Sequence, residues 1–274
     1  MKPACAEARR ARPLLGTFVE IAAAGEVRGA VDAAIDAAFA VIARVHVLMS
    51  AHDPSSDVGR LNRHAGGRAV TVHPWTEVVL RTALELHRAS NGIFDVAVTP
   101  VRRRGGEAFE LVSPCRARVR RPDARIDLGG IAKGFAVDRA LDVLGRHGMT
   151  RALVNAGGDL AVFGPDPEHV EIRHPCHPPA TLCRVAVRNE ALASSGGGDA
   201  VIVDPRRAAA AAIRGATVRA PSCVLADALT KIVMVAGEEA GPMLSRHGAS
   251  ALFLSSRGRI HATRDWSAGL RRAT

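Results

Sequence analysis

"RIDLGGIAKGFAVDRAL", residues 125–141, decides how the chain is read. An acid closes a short apolar run, two glycines follow, and a single lysine stands in the first turn of a helix. A helix N-terminus offers unpaired N–H groups and a partial positive charge, which suits an anion. Gly129 and Gly130 let a ligand come close to the backbone, and Lys133 adds a movable cation. Asp127 would repel a phosphate, so it reads better as an acceptor for a ring or base N–H. No G-x-x-x-x-G-K-[ST] is present, so this is not a P-loop. A glycine-rich strand-to-helix turn with a snorkelling lysine gives the same pattern, and both readings stand at this point.

Working outward, apolar residues at helical spacing predict helices over 29–50, 73–92 and 221–237, besides the glycine-started one at 129–148. Asn91-Gly92 is the stop signal of the second, and Pro221 the start signal of the last. "LLGTFVEIAAA" (14–24) reads as the first strand, "RAVTV" and "RALVNA" as further strands, and "SALFLSSRGRIHAT" as a closing hairpin. The polar stretch "AHDPSSDVGRLNRHAGG" reads as turns, and residues 158–220 alternate short β-like runs with Pro and Gly. Helices between runs of sequential strands predict an α+β protein rather than a βαβ array.

The chain has 274 residues, 47% of them hydrophobic, enough to bury a core as one large domain or two packed lobes. No run of about 18 apolar residues appears, so no membrane span is expected. The charged start, "MKPACAEARRARPLLGTF", does not read as a secretory leader, and five scattered cysteines without a C-x-x-C pair read as free thiols. A cytoplasmic protein is expected. The net charge of +10 points weakly to nucleic acid, but only 3% of residues are aromatic and none is Tyr. Arginine-rich, solvated loops account for the charge, and no nucleic-acid partner is expected. Lysine is rare: Lys2, Lys133 and Lys231 are the only three among 37 basic residues. Lysine is a compact point charge and arginine a planar fork, so both internal lysines suggest sites that need a small ammonium group.

"LADALTKIV" places Asp227, Thr230 and Lys231 on one face of an otherwise apolar helix. Three polar groups there call for a use, either an oxygen-ligated Mg²⁺ or an internal Asp–Lys salt bridge. "VNAGGDLAVFG" (154–164) sets a second glycine pair before an acid, a pattern that tight turns also give. His174, Cys176, His177 and Cys183 have no completing ligand spacing for zinc.

Taken together, "RPLLGTFVEI", "MSAHDPSSDVGRLN", "NGIFDVAVTPV", "DLGGIAKGFAVD", "LVNAGGDLAVFG", "LASSGG", "VDP" and "ADALTK" resemble, in order, the FAD:protein FMN transferases, the ApbE-type flavin transferases. The resemblance runs over residues 12–262 and leaves 1–11 and 263–274 as tails. It implies mixed helices and largely antiparallel sheets of T-fold-like type, with FAD in a cleft between two packed lobes. It also implies transfer of FMN from FAD to a Thr or Ser hydroxyl of an acceptor protein, with Mg²⁺ and release of AMP. Carried over residue by residue, Leu15, His52, Ile93, Phe94, Asp95, Asp127, Lys133 and Val203 match cofactor-binding positions. Gly130, Asp227 and Thr230 are the metal-ligand candidates, and Asp227 and Lys231 the catalytic ones.

Two positions depart from the family pattern. Its H-x-x-D-P segment is "VIVDP" here, with Val201 at the histidine position, and its Asp-x-x-x-Thr metal pair becomes Asp227 with Lys231. FAD hydrolysis to FMN and AMP, or FAD binding without chemistry, are therefore the alternatives to transfer. Lys231 itself is expected either to replace part of the metal's charge or to act as a base.

Overall fold

The structure, a computed structural model, describes residues 5–98, 108–177, 179–196, 202–206, 209–210 and 213–267. An eight-stranded antiparallel sheet organises it, and its strands follow chain order across the sheet. They are β1 (Ala6–Leu14), β2 (Thr17–Gly25), β3 (Arg151–Ala156), β4 (Asp159–Phe163), β5 (Glu190–Gly196), β6 (Ile213–Ala220), β7 (Ser250–Ser255) and β8 (Ile260–Ala262). β1 begins inside the stretch read as a tail. Its arginines pair outward, Arg9 with Glu20 and Arg10 with Asp32 and Asp36, a charged pattern that suits an edge strand. The two-residue turn Leu15–Gly16 joins β1 to β2 with positive φ at both residues (56° and 72°), which matches the twist of a hairpin.

Seven α-helices are described: α1 (Arg28–Met49), α2 (Asp57–Arg63), α3 (Pro74–Ala89), α4 (Ala132–Arg146), α5 (Cys223–Ala236), α6 (Gly241–Arg246) and α7 (Arg264–Ser267). On α1 the buried residues Val31, Ala34, Ile35, Ala38, Phe39, Ile42, Val45 and Met49 form one stripe. α1, α4 and α5 cover one face of the sheet. On the other face Leu160, Val162, Leu192 and Leu252 pack under Trp266 and the hairpin formed by 168–173 and 181–187. A second lobe holds α2, α3 and a three-stranded sheet, Val70–Thr71, Arg116–Val119 and Phe109–Ser113. The α+β expectation and the two-lobed arrangement are what the chain adopts.

Two local features differ from the sequence reading. Residues 57–63, expected as turns, form α2 because Ser56 caps it, accepting from Gly59 N at 2.8 Å. The glycine-started helix begins only at Ala132, which leaves Gly129 and Gly130 in the turn before it. At Gly134 the α4 backbone runs so close to α5 that a Cβ would stand 2.2 Å from the Cys223 carbonyl oxygen. Only glycine permits that approach. Asp138, one turn further along α4, caps α5 by accepting from Cys223 N at 2.7 Å and Val224 N at 2.9 Å.

Candidate functional site

Strand register sets the place of the site. Thr17, Ala156, Asp159, Ser194 and Thr217 lie at the same end of the sheet. The glycine turn before α4 and the middle of α5 meet there. Lys133 Nζ donates to Asp159 Oδ2 and lies 3.8 Å from Asp227 Oδ2. Lys231 Nζ donates to Asp227 Oδ1 from the next turn of α5, and Gly134 N donates to Asp227 Oδ2 at 3.1 Å. Ser194 N reaches Asp159 Oδ1 at 3.4 Å. Two acids and two ammonium groups thus form one cluster, and the chain's two internal lysines are both in it.

The cluster is layered. The Asp227 and Asp159 side chains are 0% and 1% exposed, whereas Lys231 and Lys133 keep 22% and 30%. Negative charge lies inside and positive charge lies at the surface. Burial raises the Asp159 pKa, and neighbouring Asp227 adds to the rise while the lysines oppose it. Burial disfavours the charge on Lys133, but Asp227 and Asp159 outweigh it and raise its pKa. Asp159 was not among the expected site residues. Its signal was the Gly157-Gly158-Asp159 run, where both glycines take positive φ (66° and 100°) and so swing the acid back toward the helices.

The other expected residues divide between the neighbourhood of the glycine turn and places apart from it. Asp127 accepts from Gly129 N at 2.8 Å, and Asp127 N donates to Val96 O at 2.8 Å. The segment Ile93–Asp95 therefore lies beside the glycine turn. Phe94 is buried, Ile93 half-buried, and the Asp95 carboxylate accepts from Ala97 N with His87 Nδ1 3.8 Å away. Burial raises the Asp95 pKa. Leu15 lies in the β1–β2 turn, next to Thr17, on which the Gly157 turn packs. His52 is exposed, and its N–H donates to Ser50 Oγ at 3.3 Å. Val203 is exposed in a short strand facing Ala210, and no described contact joins it or His52 to the cluster. Val201 lies outside the described residues. His174 and His177 face each other at 4.7 Å in a hairpin loop. A cavity of about 750 Å³ in the second lobe, lined by Asp57, Arg60, His64 and Arg68 among others, shares no residue with the cluster.

The Mg²⁺ implied by the resemblance needs several oxygen donors. Asp227 has Oδ1 occupied by Lys231 and Oδ2 by Gly134 N–H. The Thr230 hydroxyl donates to Asp227 O at 2.7 Å and pairs with Ser195 Oγ at 2.6 Å. The Lys231 stem lies 3.5–3.9 Å from where a Gly130 Cβ would stand. Among the described residues no group of three or more His, Cys, Asp or Glu side chains is placed to hold an ion. As arranged here, Asp227, shared with an ammonium group, and Thr230, its hydroxyl turned to Ser195 and the helix backbone, do not fit a divalent metal.

A helix start, two surface ammonium groups and two buried acids thus meet at one end of an antiparallel sheet in an α+β protein. The ApbE family model matches residues 15–253. The chain belongs to the ApbE family. A Vibrio cholerae relative named FAD:protein FMN transferase is 28% identical over 242 residues, covering 73% of this chain and 72% of that protein. One of the same name from Treponema pallidum is 26% identical over 193 residues, 58% of this chain and 52% of its own length, so the chain aligns with about half of it. The crystal structure of the ApbE protein from Thermotoga maritima superposes with a TM-score of 0.86 over 97% of this chain and 100% of that one, at 23% identity. That likeness shows the fold. No described helix is long and apolar enough to cross a membrane.

Proposed function

We propose that this chain moves the FMN part of FAD to a Thr or Ser hydroxyl of an acceptor protein and releases AMP. One observation carries the reading. Lys133 and Asp227, from motif stretches far apart in sequence, come within 3.8 Å of each other at the mouth of the glycine turn, in a chain of the ApbE family. The pyrophosphate then lies against the α4 start and the Lys133 and Lys231 ammonium groups. Leu15, Ile93, Phe94 and Asp95 flank the flavin, with His52 and Val203 at its rim, and Asp127 accepts from a ring N–H. In the transfer step the acceptor oxygen bonds to the FMN phosphorus. The bond from that phosphorus to the bridging oxygen breaks, and the hydroxyl proton passes to water. No electrons change hands. Positioning and charge neutralisation carry phosphoryl transfer of this kind.

The test is to incubate the purified protein with FAD and a candidate acceptor, then follow the acceptor by mass spectrometry and AMP by chromatography. Flavinylated acceptor with matching AMP supports transfer. AMP and free FMN with unmodified acceptor would make the protein an FAD pyrophosphatase, and FAD bound but unchanged would make it a flavin-binding member without chemistry.

A further inference from the structure

We infer that Lys231 is the resident cation of this site, and that it holds the dinucleotide's pyrophosphate without a divalent metal. The inference rests on the FAD reading above and departs from the metal that the family resemblance implies. Asp227 is fully buried, and both its oxygens are committed, Oδ1 to Lys231 and Oδ2 to the α4 backbone. A metal bound to this carboxylate would stand against the Lys231 ammonium group one helical turn away, cation beside cation. Between Asp227 and the glycine turn, the space is lined by the Lys231 stem. Thr230, the remaining oxygen donor on this helix face, turns its hydroxyl to the helix backbone and to Ser195.

The layering gives the cluster a use for that ammonium. Both carboxylates are buried behind it, and the two ammonium groups are the parts that reach the surface. An arriving pyrophosphate meets positive charge at short range and negative charge further back, so the pair attracts it although its formal charges cancel. A salt bridge to Asp227 alone would be served equally by arginine, which this chain prefers almost everywhere else. A slim stem passes beside Gly130, and an ammonium with three donors keeps two for phosphate oxygens after donating to Asp227.

The test uses the whole chain with FAD and, separately, with Mn²⁺ as a metal probe. FAD affinity, read by flavin fluorescence, is expected to differ by less than about threefold between excess EDTA and excess Mg²⁺. Electron paramagnetic resonance is expected to show no Mn²⁺ site on the wild-type protein, with or without FAD. Lys231→Thr should bind FAD about tenfold more weakly in EDTA, recover with Mg²⁺, and gain one Mn²⁺. A larger dependence of wild-type affinity on Mg²⁺ overturns the inference, and so does a wild-type Mn²⁺ site that Asp227→Asn abolishes. Both are wild-type measurements, so they decide even if the Thr variant does not fold. A protein that binds no FAD in either buffer sinks the flavin reading instead, while the Mn²⁺ titration still settles the metal.

Discussion

Two buried acids in this molecule are held in opposite ways. Asp57, in the second lobe, accepts from His73 N at 2.7 Å and Thr76 Oγ1 at 2.7 Å, and pairs with Arg60 of its own helix. These short local partners tie α2 to the start of α3. Asp227 is answered mainly by two long, movable ammonium groups whose ends are still at the surface. The first arrangement is closed in the sense that two short local donors, a backbone N–H and a threonine hydroxyl, meet the carboxylate besides Arg60. The second keeps positive charge at the surface. Burial of a carboxylate alone therefore does not mark a site; what sets Asp227 apart is a second buried acid, Asp159, and two ammonium groups shared between them.

The sharpest way to break the comparison is Asp227→Ala. It leaves Lys231 without its partner and Lys133 with one carboxylate fewer, and should cost about 4 kcal/mol in urea unfolding together with most FAD affinity. Retained FAD affinity would place the pyrophosphate elsewhere. Asp138 offers the next largest effect, because it is an acid of the closed kind whose burial outweighs the two N–H groups it accepts from. Its pKa is raised from 3.8 to about 6. The folded state keeps its proton where the unfolded chain has lost it. This contribution is therefore fully present below pH 3.8 and lost as pH rises through about 6, about 2–3 kcal/mol in all. Asp138→Asn should flatten that part of the stability–pH curve relative to wild type, and parallel curves would refute it. The smallest effect belongs to Asp57→Asn, about 2 kcal/mol of stability from the weakened network. FAD affinity should not change by more than about twofold, and a larger drop would mean that the two kinds of acid are not distinct.

Much of this was legible in the sequence, for identifiable reasons. Helical spacing located α1, α3, α4 and α5, and the Gly-Gly turn and the Asp227 face pointed to the two halves of one cluster. What was hidden depends on tertiary placement. β1 reads as a charged tail until Asp32 and Asp36 of α1 come alongside its arginines. α2 has a cap but too few turns for a periodic signal. Asp159 follows a glycine pair that any tight turn could carry, and only its closeness to Lys133 separates it from such a turn. Asp138 looks like an ordinary helix acid until the α5 N-terminus arrives against it. The setting of Thr230 was hidden on the same ground, since it is one position away from Lys231 in sequence but directs its oxygen to a different neighbour.

The chain-order sheet has a kinetic consequence. Every neighbouring pair except one joins strands separated by modest stretches of chain, so hairpins such as β1–β2 and β3–β4 can zip early at little entropic cost. The seam between β2 and β3 must wait for everything from Glu26 to Thr150, which includes α1, the second lobe and α4. Closing it carries the largest loop-entropy cost in the sheet, whereas Lys133 reaches Asp159 within the contiguous α4–β3–β4 segment.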